Sequence, residues 1–388
     1  MLPLLAVNAV LMMAAALVLW FAPPLRGVAP QAAAHLAFAL GAMPLILAAI
    51  AYFVPVLTRS AAPQPWVAAT PALAWTGAVA LLAGFTDLAG LIAASHVAFA
   101  FAGVAAFSMG TWIVRRARAT VGALHPGVAW YLAALGFLLA ALLAVPAMAL
   151  WPEQRAALRQ FHLHVNLLGF VGVTAIGTLQ VLLPTSIGRA DGRASGRLVT
   201  DLKFACCGVL LLAAGAAFSV PGLSPGAGRP LAVAGALLFV FAPLRMATCW
   251  VVAYGERLGS LHGAAASLVL ACVGLIGLTF AGIGHALGFL AGRDTVVGFV
   301  PAFLLPLVSG AATQLLPVWL RPGPQGEWQL RLRAKLGRLA GLRALLMVSG
   351  GLAVAFGWYQ GIWPALVGVV VLALVAVPPL ITAVSGRA

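Results

Sequence analysis

Apolar residues gather in twelve runs along the chain, and the segments between the runs hold most of the charged residues. A helix needs about 20 apolar residues to cross the hydrocarbon core of a bilayer, and each run is near that length. The pattern therefore predicts an all-α integral membrane protein, with twelve transmembrane helices in a single transmembrane domain covering residues 1–388. The predicted helices cover residues 3–21, 33–57, 65–84, 87–114, 126–150, 162–184, 202–220, 230–254, 261–283, 295–319, 340–359 and 363–384.

The composition agrees with this class. Hydrophobic residues make up 63% of the chain and charged residues only 7%, whereas about 25% of a soluble domain is charged. In a soluble protein the net charge of +15 would suggest a nucleic-acid partner. Here the basic residues lie in loops between membrane segments, so the expected partner is the lipid bilayer and not nucleic acid.

The basic residues also predict an orientation, because loops rich in lysine and arginine stay on the cytoplasmic side. Of the 22 lysines and arginines, sixteen, Arg387 included, lie on the side of the N-terminus, and Arg245 lies inside the eighth run. The other five are Arg26, Arg155, Arg159, Arg229 and Arg293. This asymmetry predicts that both termini are cytoplasmic. Segment 323–339, GPQGEWQLRLRAKLGRL, is predicted to be an amphipathic basic helix on the same surface, against anionic lipid.

Three runs share a layout that indicates an internal repeat. The second, sixth and tenth runs each end near a proline, and Pro55, Pro184 and Pro317 are 129 and 133 residues apart. His35 and His164 are also 129 residues apart, which is close to one third of the 388 residues. We therefore expect three pseudo-repeated units of four helices each, at approximately residues 1–125, 126–255 and 256–388.

Five of the seven histidines lie in the half of the predicted bundle opposite the cytoplasmic termini. Imidazole nitrogens are good ligands of iron and copper, and a haem needs only one or two axial ligands. We therefore predict that this group binds a cofactor through its metal, with haem as the first candidate and copper as a further one. The five are His35, His96, His162, His164 and His285. His125 and His262 begin helices at the cytoplasmic end, and we expect them to be interfacial residues without a ligand role.

His162 and His164 open the sixth run, and they cannot both point at one centre, because residues two apart on an α-helix differ by about 200°. The stripe through His162 continues with small residues such as Gly169 and Gly177, as expected of a face turned into a bundle. The repeat instead aligns His164 with His35. Both histidines therefore remain candidates.

Segment 161–189, FHLHVNLLGFVGVTAIGTLQVLLPTSIGR, resembles the NnrS family, in which HxHxxxxGF is followed by a helix of small residues, a proline and Gly-Arg. The twelve-helix threefold topology also resembles the catalytic subunit of haem-copper oxidases and nitric oxide reductases. The resemblance implies a bacterial cytoplasmic-membrane protein with a b-type haem, and with copper as a second metal. It would handle nitric oxide or electrons near the periplasmic face, with an electron donor in the periplasm or the membrane. If the protein is an enzyme, the resemblance implies an oxidoreductase of this type.

The chain departs from the oxidases in the residues that hold copper. Oxidases carry a His-Pro-Glu motif on helix 6 and a His-His pair on helix 7, whereas the seventh run here contains no histidine. The tenth run contains none either. We therefore expect no binuclear oxygen-reduction site. By the same resemblance, His35 takes the position of a low-spin haem ligand and His164 that of its repeat mate.

The alternative is a cofactor-free secondary transporter or channel with twelve helices. Such carriers commonly have six-plus-six symmetry, and a proton-coupled carrier usually has a carboxylate within the membrane. The carboxylates considered for this role, Asp87, Glu153 and Asp294, all lie near the ends of predicted helices. The haem-binding interpretation is therefore preferred.

Overall fold

The structure is a computed structural model that describes residues 1–22, 30–85 and 88–385. Arg26, Asp87 and Arg387, which entered the sequence analysis, lie outside the described residues. Every regular element within the described ranges is helical, and twelve helices are long and apolar enough to cross a membrane. The predicted all-α class and the predicted number of membrane-length helices are therefore confirmed.

We number these helices in chain order. They are α1 Leu2–Phe21, α2 Pro30–Thr58, α3 Pro65–Gly84, α4 Gly90–Ala119, α5 Gly127–Leu150, α6 Pro152–Ile187, α7 Ala194–Phe218, α8 Pro225–Arg257, α9 Ala264–Ala286, α10 Gly292–Leu320, α11 Glu327–Ala355 and α12 Tyr359–Val384.

Helix α6 begins ten residues before the predicted start at residue 162. Its 36 residues span about 54 Å, which exceeds the hydrocarbon thickness. The added turns carry Glu153, Arg155 and Arg159. Charged residues are unsuited to hydrocarbon, so the apolar run starts only after them. They are ordinary helix formers, however, so the helix itself starts earlier.

Helices α2, α6 and α10 each contain a π-helical segment. The three segments are Leu36–Ala42, Val165–Gly172 and Val300–Leu304. No other membrane-length helix has one in the part of the chain that the structure describes. π-Helical turns are rare, and those that do occur are often at functional sites. These three helices are therefore the strongest candidates to carry a functional site.

The chain divides into two compact units, which we describe separately. Unit A comprises Met1–Phe21, Leu179–Asp191 and Pro243–Ala388, and unit B comprises Ala22–Thr178 and Gly192–Ala242.

Small residues bring helix backbones close together within each unit. In unit B, a Cβ atom added at Gly208 of α7 would meet the backbone of Phe239 on α8. In unit A, a Cβ atom added at Gly274 of α9 or at Gly351 of α11 would meet the backbone of Ala302 on α10. Close approach of this kind is how membrane helices gain packing energy, since lipid offers no hydrophobic driving force between them.

Candidate functional site

His162 is held in one orientation by two neighbours in unit B. Its Nδ1–H donates to the carbonyl oxygen of Ala141 on α5 at 2.8 Å. The amide of Asn166, one turn later on α6, lies with Nδ2 3.2 Å from His162 Nε2 and donates to the His162 carbonyl at 3.1 Å. A carbonyl oxygen can only accept, so the ring proton is on Nδ1 and Nε2 carries the lone pair.

The face of α6 that carries His162 packs against α5. A Cβ atom added at Gly169 would lie 2.7 Å from Cγ of Phe137, and one added at Gly177 would lie 2.6 Å from Cβ of Trp130. Glycine is therefore needed at both positions for the two helices to approach. This packing sets the distance between His162 and the Ala141 carbonyl.

His35 on α2 is the second histidine of this site. Its Nδ1–H donates to the carbonyl of Gln31 at 2.7 Å, and its ring centre lies 5.5 Å from that of Phe85. His35 and His162 lie in the same unit, and a charge on the His35 ring acts on the His162 ring. Each imidazole, one on α2 and one on α6, carries its lone pair on Nε2.

His164 is placed differently from His162. It is half-buried, and its Nδ1–H donates to the carbonyl of Gln160 on its own helix at 2.8 Å. Both histidines belong to the regular α-helical segment Arg155–His164, so they point about 200° apart. His162 contacts α5 and lies near His35, which makes it the better candidate of the two.

His96 and His285 lie apart from the pair. His96 is exposed on α4, with Nδ1–H donating to the carbonyl of Ile92 at 2.8 Å. His285 belongs to unit A and is also exposed. Its Nδ1–H donates to the carbonyl of Leu290 at 3.1 Å, and Nε2 lies against Gly292, where an added Cβ would be 2.7 Å away. His285 therefore holds the end of α9 against the start of α10.

The proton position separates the five candidate histidines from the other two. All five donate from Nδ1 to a backbone carbonyl. In contrast, Nδ1 of His125 accepts from the Gly127 amide at 3.0 Å, and Nδ1 of His262 accepts from the Leu339 amide at 3.1 Å. Burial lowers the pKa of His125, which favours this neutral acceptor form. Both contacts are with backbone near helix starts, as expected of structural residues.

The donor set of His35 and His162 fits a haem. The porphyrin supplies four nitrogen ligands, so the protein has to add only one or two imidazoles. A backbone carbonyl on Nδ1 is also the usual support of a metal-ligating histidine, because it fixes the tautomer and makes Nε2 more basic. An ion held by side chains alone needs about three or more ligands. Residues 1–22, 30–85 and 88–385 contain no group of three His, Cys, Asp or Glu side chains placed to hold an ion in this way.

Sequence reasoning missed two buried charged residues. Asp201 of α7 in unit B and Arg343 of α11 in unit A are both fully buried. Asp201 lies four residues after Arg197, which is 6% exposed, so the two are on the same side of the helix. That spacing is a signal that could have indicated an inward-facing carboxylate. Arg343 had no comparable signal, because its partners are backbone carbonyls and a threonine.

Neither a comparison with protein-family models nor a search of curated proteins finds a match to this chain.

Proposed function

We propose that the protein is an integral-membrane haem protein in which His35 and His162 would hold the haem iron. The observation that carries the proposal is that these two imidazoles of the same unit both donate Nδ1–H to a backbone carbonyl and so both carry the lone pair on Nε2. A haem held there would supply an iron that exchanges electrons, and a small ligand such as nitric oxide would bind it only in place of one of the two imidazoles. We favour a b-type haem, since the sequence has no CxxC motif for covalent attachment.

The residues around His162 have separate roles in this proposal. The Ala141 carbonyl holds the ring and keeps the proton on Nδ1. Asn166 would release Nε2 for a metal, while its hydrogen bond to the His162 carbonyl would keep the amide in place. Phe85 places an apolar ring beside His35, with the two ring centres 5.5 Å apart.

The π-helical segments support the proposed threefold repeat. Each is followed by an α-helical segment with a proline three residues before its end, namely Pro55 before Thr58, Pro184 before Ile187 and Pro317 before Leu320. The three helices are those that the sequence pairs as repeat mates. We therefore keep three four-helix units, with both termini in the cytoplasm of a bacterium and the haem near the periplasmic face.

Haem binding is tested on the purified full-length protein by its Soret absorption and by extraction and identification of the haem. His35→Ala and His162→Ala should each remove the low-spin spectrum while the protein remains folded and inserted in the membrane. His164→Ala separates the two candidates on α6, and His125→Ala is the matched control. The proposal fails if every single replacement of the five outer histidines keeps the wild-type spectrum and metal content.

A cofactor-free transporter is the second candidate, and Asp201 is the observation in its favour. The carboxylate is fully buried in a membrane-length helix, a position that often marks a proton or ion pathway. A purified protein without a Soret band and without bound copper would support this candidate over the first. Uptake of a solute into vesicles, driven by an ion gradient and lost in Asp201→Asn, would then establish the transporter function.

A further inference from the structure

The connection between α10 and the apolar part of α11 folds into a fixed amphipathic helix, Glu327–Leu336. Gln329 closes its first turn by accepting from the Gly326 amide at 3.0 Å and donating to the Arg321 carbonyl at 3.3 Å. Leu332 and Leu336 are buried. A free helix of ten residues is marginal in water, so these contacts are what keep it formed.

Arg343 fixes the other end of this helix. Its guanidinium is fully buried and donates to the carbonyls of Leu336 at 2.8 Å and Arg338 at 3.1 Å, and to the Thr313 hydroxyl at 3.3 Å. A cation is favourable at the C-terminal carbonyls of a helix. Arg333 adds a hydrogen bond to Gln325 Oε1 at 2.8 Å. The helix is therefore tied to α10 from both ends.

The outer face of the helix is basic with one large apolar residue. Leu330, Arg331, Ala334 and Lys335 are exposed, and their spacing places them on one side of the helix. Arg338 is exposed in the turn that follows Leu336. Arg331 pairs with Glu327 at 2.8 Å, but both side chains are exposed and the pair is weak. Lys335 and Arg338 make no ion pair with any residue that the structure describes, so their charge is available to a partner.

We propose that this face, which we call the basic face (Leu330, Arg331, Ala334, Lys335 and Arg338), binds the phosphate headgroups of anionic phospholipids. It leads directly into the apolar part of α11, which places it at the boundary between membrane and water. Its charge is complementary to an anionic membrane surface, and the exposed Leu330 suits the acyl boundary beside the headgroups. Because the helix is already fixed, binding orders few side chains, and this preorganisation favours affinity.

The test uses purified full-length protein in neutral detergent, titrated with phosphatidylglycerol or phosphatidylcholine, with bound lipid counted by native mass spectrometry. The wild type should prefer phosphatidylglycerol. Each basic residue near an anionic surface contributes roughly a fivefold factor in binding. The double variant Lys335→Gln/Arg338→Gln should therefore lose more than tenfold in affinity for phosphatidylglycerol, with little change for phosphatidylcholine.

The matched control is Arg115→Gln/Arg118→Gln, which removes two exposed charges at the end of α4, outside the basic face. It should lower the affinity less than the double variant does, because the proposal places the lipid site on the basic face. Arg343→Gln should also weaken phosphatidylglycerol binding although it leaves the basic face intact. If that variant does not fold, the double variant decides alone. Wild-type preference in the double variant would overturn the proposal, as would tighter binding of duplex DNA than of phosphatidylglycerol by the wild type.

Discussion

Replacing Gly169 by alanine should weaken the hydrogen bond between His162 and the Ala141 carbonyl, although the added methyl group does not contact His162. The added Cβ would lie 2.7 Å from Cγ of Phe137, and an ordinary contact begins at 3.4 Å. Because the atoms it meets, Cβ and Cγ, are the root of the Phe137 side chain and cannot swing aside, the two helices must separate by about 0.7 Å. The same separation would stretch the bond from His162 to Ala141, now 2.8 Å, to about 3.5 Å, which is beyond the normal range for N–H···O bonds.

Two losses are expected from this change. Overpacking of a filled interface costs about 1–3 kcal/mol in the free energy of unfolding. Loss of the hydrogen bond that orients a metal-ligating histidine typically lowers metal affinity by about 10- to 100-fold. The assays are thermal unfolding of the protein in detergent and titration of the haem-free protein with haem. The first assay reports on the packing whether or not haem binds.

Gly136→Ala is the matched control for Gly169→Ala. Gly136 is exposed on α5 beside Phe137, and no heavy atom of the described chain is within 4 Å of a Cβ added there. Alanine is favoured over glycine within a helix by about 0.5–1 kcal/mol, so this variant should be neutral or slightly more stable. Wild-type unfolding temperature and wild-type haem affinity in Gly169→Ala would refute the reasoning.

Three further predictions concern other parts of the chain. Burial lowers the pKa of His125, so its neutral form stabilises the fold above the unfolded pKa of about 6.5, and this stabilisation is lost as the pH falls below that value. In His125→Asn the unfolding temperature should therefore depend less on pH between pH 7.5 and 5.5. The purified protein should not reduce oxygen to water, because α7 has no histidine pair for copper, and cyanide-sensitive oxygen consumption would contradict this. Reporter fusions should indicate cytoplasm after residues 118, 197 and 338 and periplasm after residues 154 and 226, and a reversed result at two of these sites would overturn the orientation.

The number of membrane-length helices could be predicted because hydrocarbon imposes one length on every run of apolar residues. The start of α6 could not be predicted in this way, because Arg155 and Arg159 end the apolar run without ending the helix. The π-helical segments could not be predicted either. In these segments the backbone amides bond to carbonyls five residues away and not four, and the polarity of the side chains does not indicate which pattern forms.

The site was predictable in part. The distribution of histidines selected His35 and His162 along with three others, and the small residues Gly169 and Gly177 favoured His162 over His164 as the residue that faces the bundle. The contact of His162 with the Ala141 carbonyl could not be predicted, because it is made to a backbone group. Arg343 was missed for the same reason, since two of its three partners are backbone carbonyls.

The π-helical segments also bear on why only part of the proposed repeat would hold a metal. The residue directly before each segment is His35 in α2, His164 in α6 and Phe299 in α10. A buried phenylalanine cannot ligate a metal, so the third unit has no ligand at this position. In α6 the contacting histidine is two residues earlier, at His162. In the proposed repeat, the ligand proposed for the second unit is therefore His162, two residues before the repeat position, where the Ala141 carbonyl of α5 orients it.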